Sequence, residues 1–230
     1  MTGKIDCFLA CGDFAALKPM TEALLGSGVV RHINIMACRA DEEDTILPEG
    51  CTLMETCGMA DTETIKRMAA AATAEYTLLL TKPVSVTLGM KAVERMLRVA
   101  ADSGAALTYS DHYKTVGGER VAHPVTDYQE GSVRDDFDFG SVLLVNTELL
   151  RKYADRLSSS YRYAGLYDLR LFLSREGTVF HLNEYLYTEE ETDTRASGIK
   201  QFDYVDPANR EVQIEMEHAV TAHLDAIGAR

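Results

Sequence analysis

The chain has 230 residues, 46% of them hydrophobic and 26% charged, which is the composition of a folded globular protein and excludes a disordered one. With 23 Lys and Arg against 36 Asp and Glu, the formal charge is −13. A surface that acidic repels phosphate backbones and anionic lipid, so no nucleic-acid partner and no membrane-surface role are expected, although one local basic pocket for a small anion remains compatible. The five cysteines (Cys7, Cys11, Cys38, Cys51 and Cys57) all fall in the first quarter and lack a CxxC or His pair to complete a zinc set. An odd number of them, with no signal peptide ahead, predicts reduced thiols and a cytoplasmic protein. No apolar run approaches the ~18 residues of a membrane span, so no membrane insertion is expected.

Short apolar runs alternate with helical patterns through the first half. Ile5–Ala10 reads as a buried strand, Leu17–Leu25 as a helix stopped by Gly26 and Gly28, His32–Cys38 as a second strand and Thr52–Glu55 as a third. Asp61 is placed to cap a helix over Thr64–Ala74. Tyr76–Leu80 is the clearest strand; Leu88–Asp102 follows as an amphipathic helix and Ala105–Ser110 as the next strand. This alternation predicts crossover connections, a mostly parallel sheet and an α/β fold, with ligands beyond the carboxyl ends of the strands. Chemistry is therefore expected near Ala10–Asp13, Arg39–Asp44, Thr81–Val84 and Asp111–Tyr113.

In the second half, Val116-Gly117-Gly118-Glu119 reads as a hairpin turn, Ser141–Asn146 as a strand leading into a helix over Thr147–Tyr153, Tyr167–Ser174 as an amphipathic segment and Thr178–Leu182 as a strand. Asn209–Ile227 is a helix with one apolar stripe, which either docks on the domain or continues towards something beyond the chain end.

Generic nucleotide motifs are missing: there is no P-loop, no dinucleotide-binding glycine turn after a strand and no nucleophile elbow. What stands out is VRDDFDFG at 133–140, where Asp135, Asp136 and Asp138 interleave with Phe137 and Phe139. Acids among aromatics must be solvated, paired with Arg or bound to a cation. One reading is a turn whose acids pair with Arg134; the other is a cluster gripping sugar hydroxyls or a metal, with one acid as general base. Asp111 closes a strand, as an Asx turn or a ligand contact. Asp168 begins an amphipathic segment, as a helix N-terminal acid or a base facing a pocket. Arg195 follows an acidic run and is placed to present a cation to a diphosphate.

In order and spacing, EYTLLL (75–80), ALTYSDHY (106–113), the GGE turn (117–119), GSVLLVNTELL (140–150), YDLRLFLS (167–174) and VFHLNEYLYTEEETDTRASG (179–198) resemble the family 2 glycosyltransferases. The resemblance implies a GT-A nucleotide-diphospho-sugar transferase fold over residues 1–202, with residues 203–230 a C-terminal helical extension. The stretch from GSVRDDFDFG through FDYVDPANREVQIEME looks like a bacterial subgroup in which such a domain is the first of two. A second transferase domain or a homo-oligomer is then expected, and the chain is either a fragment or a stand-alone version. The implied activity is transfer of a sugar from a nucleotide-diphosphate donor to a glycan or lipid-linked acceptor hydroxyl.

Two departures from the family pattern are visible. Its metal-binding Asp-x-Asp follows the strand occupied here by YTLLL, yet this chain has Thr81-Lys82 there, neither of which ligates a divalent cation such as Mn or Mg. Its base pair precedes Asp168-Leu169, where this chain has Gly165-Leu166. Within the resemblance, Asp136 or Asp138 becomes the expected base, with Asp168 next. Asp41 falls to the nucleoside, Asp111 and Asp135 to the donor sugar or ribose, and Lys82 with Arg195 to the diphosphate; Asp111 and Asp138 are the metal candidates, if a metal is used. The competing expectation is a catalytically degenerate domain that keeps the fold and serves as a glycan-binding or docking module.

Overall fold

The computed structural model of the chain describes residues 3–37, 47–129, 131–190 and 210–229. In chain order the elements are β1 (Ile5–Ala10), α1 (Phe14–Gly26), β2 (Val30–Ala37), β3 (Cys51–Glu55), α2 (Thr62–Ala71), β4 (Tyr76–Leu80), β5 (Ser85–Leu88) and α3 (Ala92–Ser103). They continue as β6 (Leu107–Val116), β7 (Glu119–His123), β8 (Val142–Asn146), α4 (Thr147–Arg156), α5 (Gly165–Glu176), β9 (Val179–Glu190) and α6 (Arg210–Ile227).

One nine-stranded sheet runs β3-β2-β1-β4-β8-β6-β9-β5, with β7 added to β6. From the pairings, β1, β2, β3, β4, β6 and β9 all point one way, while β5, β7 and β8 run against them. The mostly parallel α/β sheet expected from the alternation is the one that forms. Both faces are covered, which is why β1 and β4 are buried throughout instead of alternating between core and solvent. Ile5, Cys7 and Leu9 turn to a core shared with Leu17, Met20 and Leu24 of α1 and Met96 and Leu97 of α3. Phe8 and Ala10 turn to the opposite core, against Ile65 and Met68 of α2, Leu150 of α4 and Leu169 of α5. The described Cys7, Cys51 and Cys57 form no disulfide, and among the described residues no helix is long and apolar enough to cross a membrane.

Several boundaries differ from expectation for identifiable reasons. α1 begins at Phe14 because Asp13 caps it, accepting the Ala15 N–H at 2.9 Å. Asp61 caps α2 as expected, accepting the Thr64 N–H at 3.1 Å. That helix stops at Ala71, short of Ala74, because the buried carboxylate of Asp6 on β1 captures the N–H groups of Thr73 at 2.6 Å and Ala74 at 2.8 Å. Ser85–Leu88 and Glu184–Glu190 were not expected as strand; they pair antiparallel, Ser85 with Glu190 through Leu88 with Tyr187, and α3 starts only at Ala92. Asp111 does not close its strand. β6 runs on to Val116 and turns through Gly117 (φ 59°) and Gly118 (φ 85°) into β7, a left-handed pair of positions that glycine adopts without strain.

The terminal helix docks on α5. Ala219, Met216 and Val220 of α6 pack on Tyr167 and Leu171 of α5, and Glu215 accepts hydrogen bonds from the backbone N–H groups of Arg162, Tyr163 and Ala164 just ahead of α5.

Candidate functional site

The acidic stretch 133–140 lies over the carboxyl end of β4, and its alternation has a physical cause. Phe137 and Phe139 turn inward, edge-on to Tyr109, while Asp135 and Asp136 before them turn to solvent. Two anchors hold the loop down. The buried Arg170 of α5 donates to the carbonyls of Ser132 (3.2 Å) and Arg134 (2.8 Å) and lies over the rings of Tyr167 and Phe139. Gly140 (φ 73°) sits so close to the sheet that a Cβ there would meet the Tyr187 hydroxyl at 2.1 Å, so only glycine fits. That hydroxyl accepts the Ser141 N–H at 2.9 Å.

The three aspartates are not equivalent. Asp136 is exposed and receives two hydrogen bonds from the Arg134 guanidinium, at 2.9 and 2.8 Å, which hold its carboxyl below the ordinary range. This is the paired-turn arrangement anticipated for the cluster. Asp138 faces the site. One oxygen accepts the Gly140 N–H at 2.9 Å and the other meets Nε2 of His123 at 2.8 Å. Burial works against its ionisation, but the His123 and Gly140 hydrogen bonds, with Lys82 and Lys114 nearby, overcome that and hold its carboxyl below the usual range. Asp135 is exposed and makes its electrostatic contact with Arg170.

Asp135, Asp136 and Asp138 share with Lys82 a cavity of about 520 Å³ between the sheet and α5. Lys82 is exposed immediately after β4, while Thr81 is tied back by its N–H to the Ser141 carbonyl at 2.9 Å. Asp111 and Asp168 are not part of this group. Asp111 is buried at an irregularity between β6 and β9, where it accepts the Val125 N–H at 2.8 Å and meets His181 Nε2 at 2.9 Å; the other His181 nitrogen lies 2.6 Å from Asp127. Asp168 projects from the other side of α5 into a separate cavity of about 280 Å³. There it accepts the Tyr153 hydroxyl at 2.8 Å, and burial raises its carboxyl pKa. Asp41 and Arg195 lie outside the described residues.

Sequence reasoning missed His123, His112, Arg170 and Tyr187. For the histidines a signal existed: the Gly117-Gly118 turn sets a hairpin register in which 112 faces 123, so the two imidazoles share one face of the sheet, 4.7 Å apart. Arg170 and Tyr187 act across long sequence separations, and no local pattern marks them.

The described residues do not fit a bound divalent cation. The position after β4 carries a lysine, Asp138 is already engaged by His123, and among the described residues no group of three or more His, Cys, Asp or Glu side chains is placed to hold a metal.

The mostly parallel sheet, covered on both faces and with a cavity at a strand's carboxyl end, has the GT-A type of fold by its likeness to solved structures. Among solved structures, the chain is similar to S. aureus TarS 1-349 in complex with UDP-GlcNAc, with a TM-score of 0.55 and 11% identity over 83% of this chain and 59% of that one. It is also similar to a second crystal structure of S. aureus TarS 1-349, at a TM-score of 0.51 and 11% identity over 80% of this chain and 60% of that one. The chain thus spans about three fifths of the solved chains it resembles. A third structure, 4-diphosphocytidyl-2C-methyl-D-erythritol synthase from Anaerococcus prevotii, aligns at a TM-score of 0.49, too low to bear on the fold. No protein family and no curated protein matches the chain in sequence.

Proposed function

We propose that the chain is a glycosyltransferase domain of the family 2 kind, which binds a nucleotide-diphosphate sugar across the carboxyl ends of the parallel strands and transfers the sugar to a hydroxyl acceptor. The observation that carries this reading is Asp138, an ionised carboxylate oriented by His123 and set beside Lys82 at a cavity where the fold's ligands bind. Asp138 is the general base: it takes the proton from the acceptor hydroxyl as the oxygen attacks the sugar's anomeric carbon and the diphosphate departs from the other face. Lys82 stands where positive charge is needed against the leaving diphosphate, a role independent of a cation. Asp135 reaches donor or acceptor hydroxyls, while Asp41 and Arg195 retain their proposed roles at the nucleoside and the diphosphate. The similarity to a TarS structure with UDP-GlcNAc bound supports a nucleotide-sugar donor.

A second reading is favoured by one observation. The start of α5, where the family carries its base, holds Gly165 and Leu166 and is closed off by Glu215. On that reading the domain is a non-catalytic module that binds glycan or docks a partner domain.

Thermal unfolding of the purified chain against a panel of nucleotide sugars, each with manganese and with chelator, separates the two. A ligand at a hundredfold its Kd adds about 2.7 kcal/mol, a shift of several degrees. A shift with one donor that survives chelation and is lost in Lys82→Ala supports the transferase; no shift with any donor leaves the module.

A further inference from the structure

The cavity that Asp168 lines lies on the other side of α5 from the acidic loop, and the proposed transfer does not use it. α4 brings Tyr153 and Arg156 to it, and α5 brings Asp168 and Arg175. α6 closes it with Ala222 and Ala226, two small side chains one turn apart that leave the space open. Its volume, about 280 Å³, is at the small end of ligand sites, which begin near about 300 Å³. A nucleotide sugar is too large for it; a free amino acid is not.

The charges in this cavity are sorted by depth. Asp168 is the half-buried inner acid, whereas Arg156 and Arg175 are exposed at the rim. Oδ2 of Asp168 accepts the Tyr153 hydroxyl at 2.8 Å. Oδ1 makes no hydrogen bond among the described residues and opens to the cavity. Arg175 acts on this carboxylate through its field but is held off it. Its guanidinium donates to Nδ1 of His223 at 2.6 Å and lies over the Phe172 ring, 5.8 Å from the centroid. The rim acid, Glu176, is already engaged by Lys152 and, at 3.5 Å, by Arg156. Two arginines against one glutamate leave the rim positive, while the inner carboxylate has no paired cation among the described residues.

A partly buried carboxylate without a counterion is costly, and burial raises the pKa of Asp168 accordingly. A plain anion drawn to the arginines would face Asp168 across a small cavity, and a plain amine drawn to Asp168 would face the arginines. A ligand that carries both charges complements the two ends together. We infer that this cavity binds a small zwitterion of the α-amino acid class, its ammonium on Oδ1 of Asp168 and its carboxylate at the guanidiniums of Arg156 and Arg175. Because α6 supplies one wall, the bound ligand favours the docked position of that helix. The site is separate from the cavity of the transferase reading, and neither inference depends on the other.

The test follows thermal unfolding of the full 230-residue chain with each standard amino acid in turn, and titrates by calorimetry any that shifts the curve. At least one amino acid should stabilise the chain, while its des-amino acid and its methyl ester at the same concentration should not. Asp168→Asn keeps an oxygen for the Tyr153 hydroxyl and should weaken binding about 10–100-fold, the scale of a lost hydrogen bond to a charged group. Ala222→Leu fills the space from α6 and should abolish binding. Arg156→Gln changes an exposed side chain at the carboxylate end and should also weaken it. Circular dichroism and the unliganded melting temperature show that the variants are folded.

No stabilisation by any amino acid overturns the inference. Equal binding of the des-amino acid overturns it in favour of a plain anion site, and equal binding of the ester in favour of a plain amine site. Affinity unchanged in both Asp168→Asn and Ala222→Leu also overturns it, because the ligand then binds elsewhere. The nucleotide-sugar shift is read separately. If an amino acid binds as expected and no nucleotide sugar does, this site stands and the transferase reading falls; the reverse result removes this site alone.

Discussion

Glu215 of α6 accepts the backbone N–H of Tyr163 at 2.7 Å, and the same carboxylate also receives the N–H groups of Arg162 at 3.0 Å and Ala164 at 3.1 Å. These three N–H groups precede α5, which begins at Gly165, so Glu215 ties the loop ahead of that helix to a helix about fifty residues further on.

Glu215→Ala should therefore destabilise the domain by about 1–3 kcal/mol, the scale of backbone hydrogen bonds lost to a charged acceptor. For a chain of this length that lowers Tm by a few degrees, read by thermal or urea unfolding. Glu215→Gln keeps an acceptor oxygen and should recover part of the loss. Equal stability of all three proteins would mean that α6 does not dock in solution.

Asp138→Asn should lower transfer by roughly 10²–10⁴-fold, the usual contribution of a general base. Asp136→Asn, which only loosens an exposed pair with Arg134, should leave turnover close to the parent. Comparing the two single-turnover rates at saturating donor decides between acids two residues apart. A larger effect at Asp136 would reverse the assignment.

His112 is buried against Tyr187, with both ring nitrogens unpartnered and Glu189 4.0 Å away. Burial lowers its pKa to about 4, against the opposing pull of Glu189 and Asp138 and with help from His123 and Lys114. The unfolded chain takes up this proton at about 6.5, so the contribution is complete above that pH and is lost as pH falls from there to about 4. His112→Phe should flatten the dependence of unfolding free energy on pH in that window. It should not lower stability at pH 7, since it removes two unbonded nitrogens and keeps a ring on Tyr187. Some slope persists, because burial lowers the pKa of His223 in the same direction. Asp138 acts in a separate, more acidic window: its carboxyl is depressed on folding, so its contribution is present above the unfolded carboxylate pKa and lost as pH falls through the folded one.

Asp6 is buried in β1 and joins the sheet to the chain after α2 through the amides of Thr73 and Ala74. Asp6→Ala leaves those N–H groups without a partner and should cost about 2–4 kcal/mol, since each unmet buried donor costs about 1–3 kcal/mol. Asp6→Asn, which keeps one oxygen, should cost less. Urea unfolding of both variants checks the order.

The half of the fold that depends on local pattern was legible. β1 and β4 end where their apolar runs end, Asp61 caps the helix it precedes, and Gly117-Gly118 makes the hairpin turn. What was not legible depends on distant partners. SVTL at 85–88 and EYLYTEE at 184–190 look like loop, because their polar and charged residues have no run or period of their own. Ser85–Leu88 becomes strand by pairing with Tyr187–Glu190 across a hundred residues, and Tyr187–Glu190 pairs on its other side with His112–Thr115 of β6. The site divides in the same way. Asp136 and Asp138 are alike in sequence; Asp136 takes a partner two residues away, whereas Asp138 takes His123 from across the β6–β7 hairpin. Asp111 looked like a strand end because the apolar run stops there, yet the register irregularity with β9 lets the strand continue past it. Asp168 reads either as a helix N-terminal acid or as a base facing a pocket; it lies in the first turn of α5 and lines a different cavity from the aspartate loop.

The sheet order also bears on how the protein is made. β4 takes β1 on one side and β8 on the other, and β8 ends 66 residues after Leu80, at Asn146. At about 5–20 residues per second, the ribosome needs roughly 3–13 s to supply that neighbour. Through that interval a nascent chain with β1 to β4 assembled presents YTLLL as an open apolar edge, the kind of edge that pairs with other chains. The interval is a window for chaperone capture, and slower translation between codons 81 and 146 would be expected to lower soluble yield.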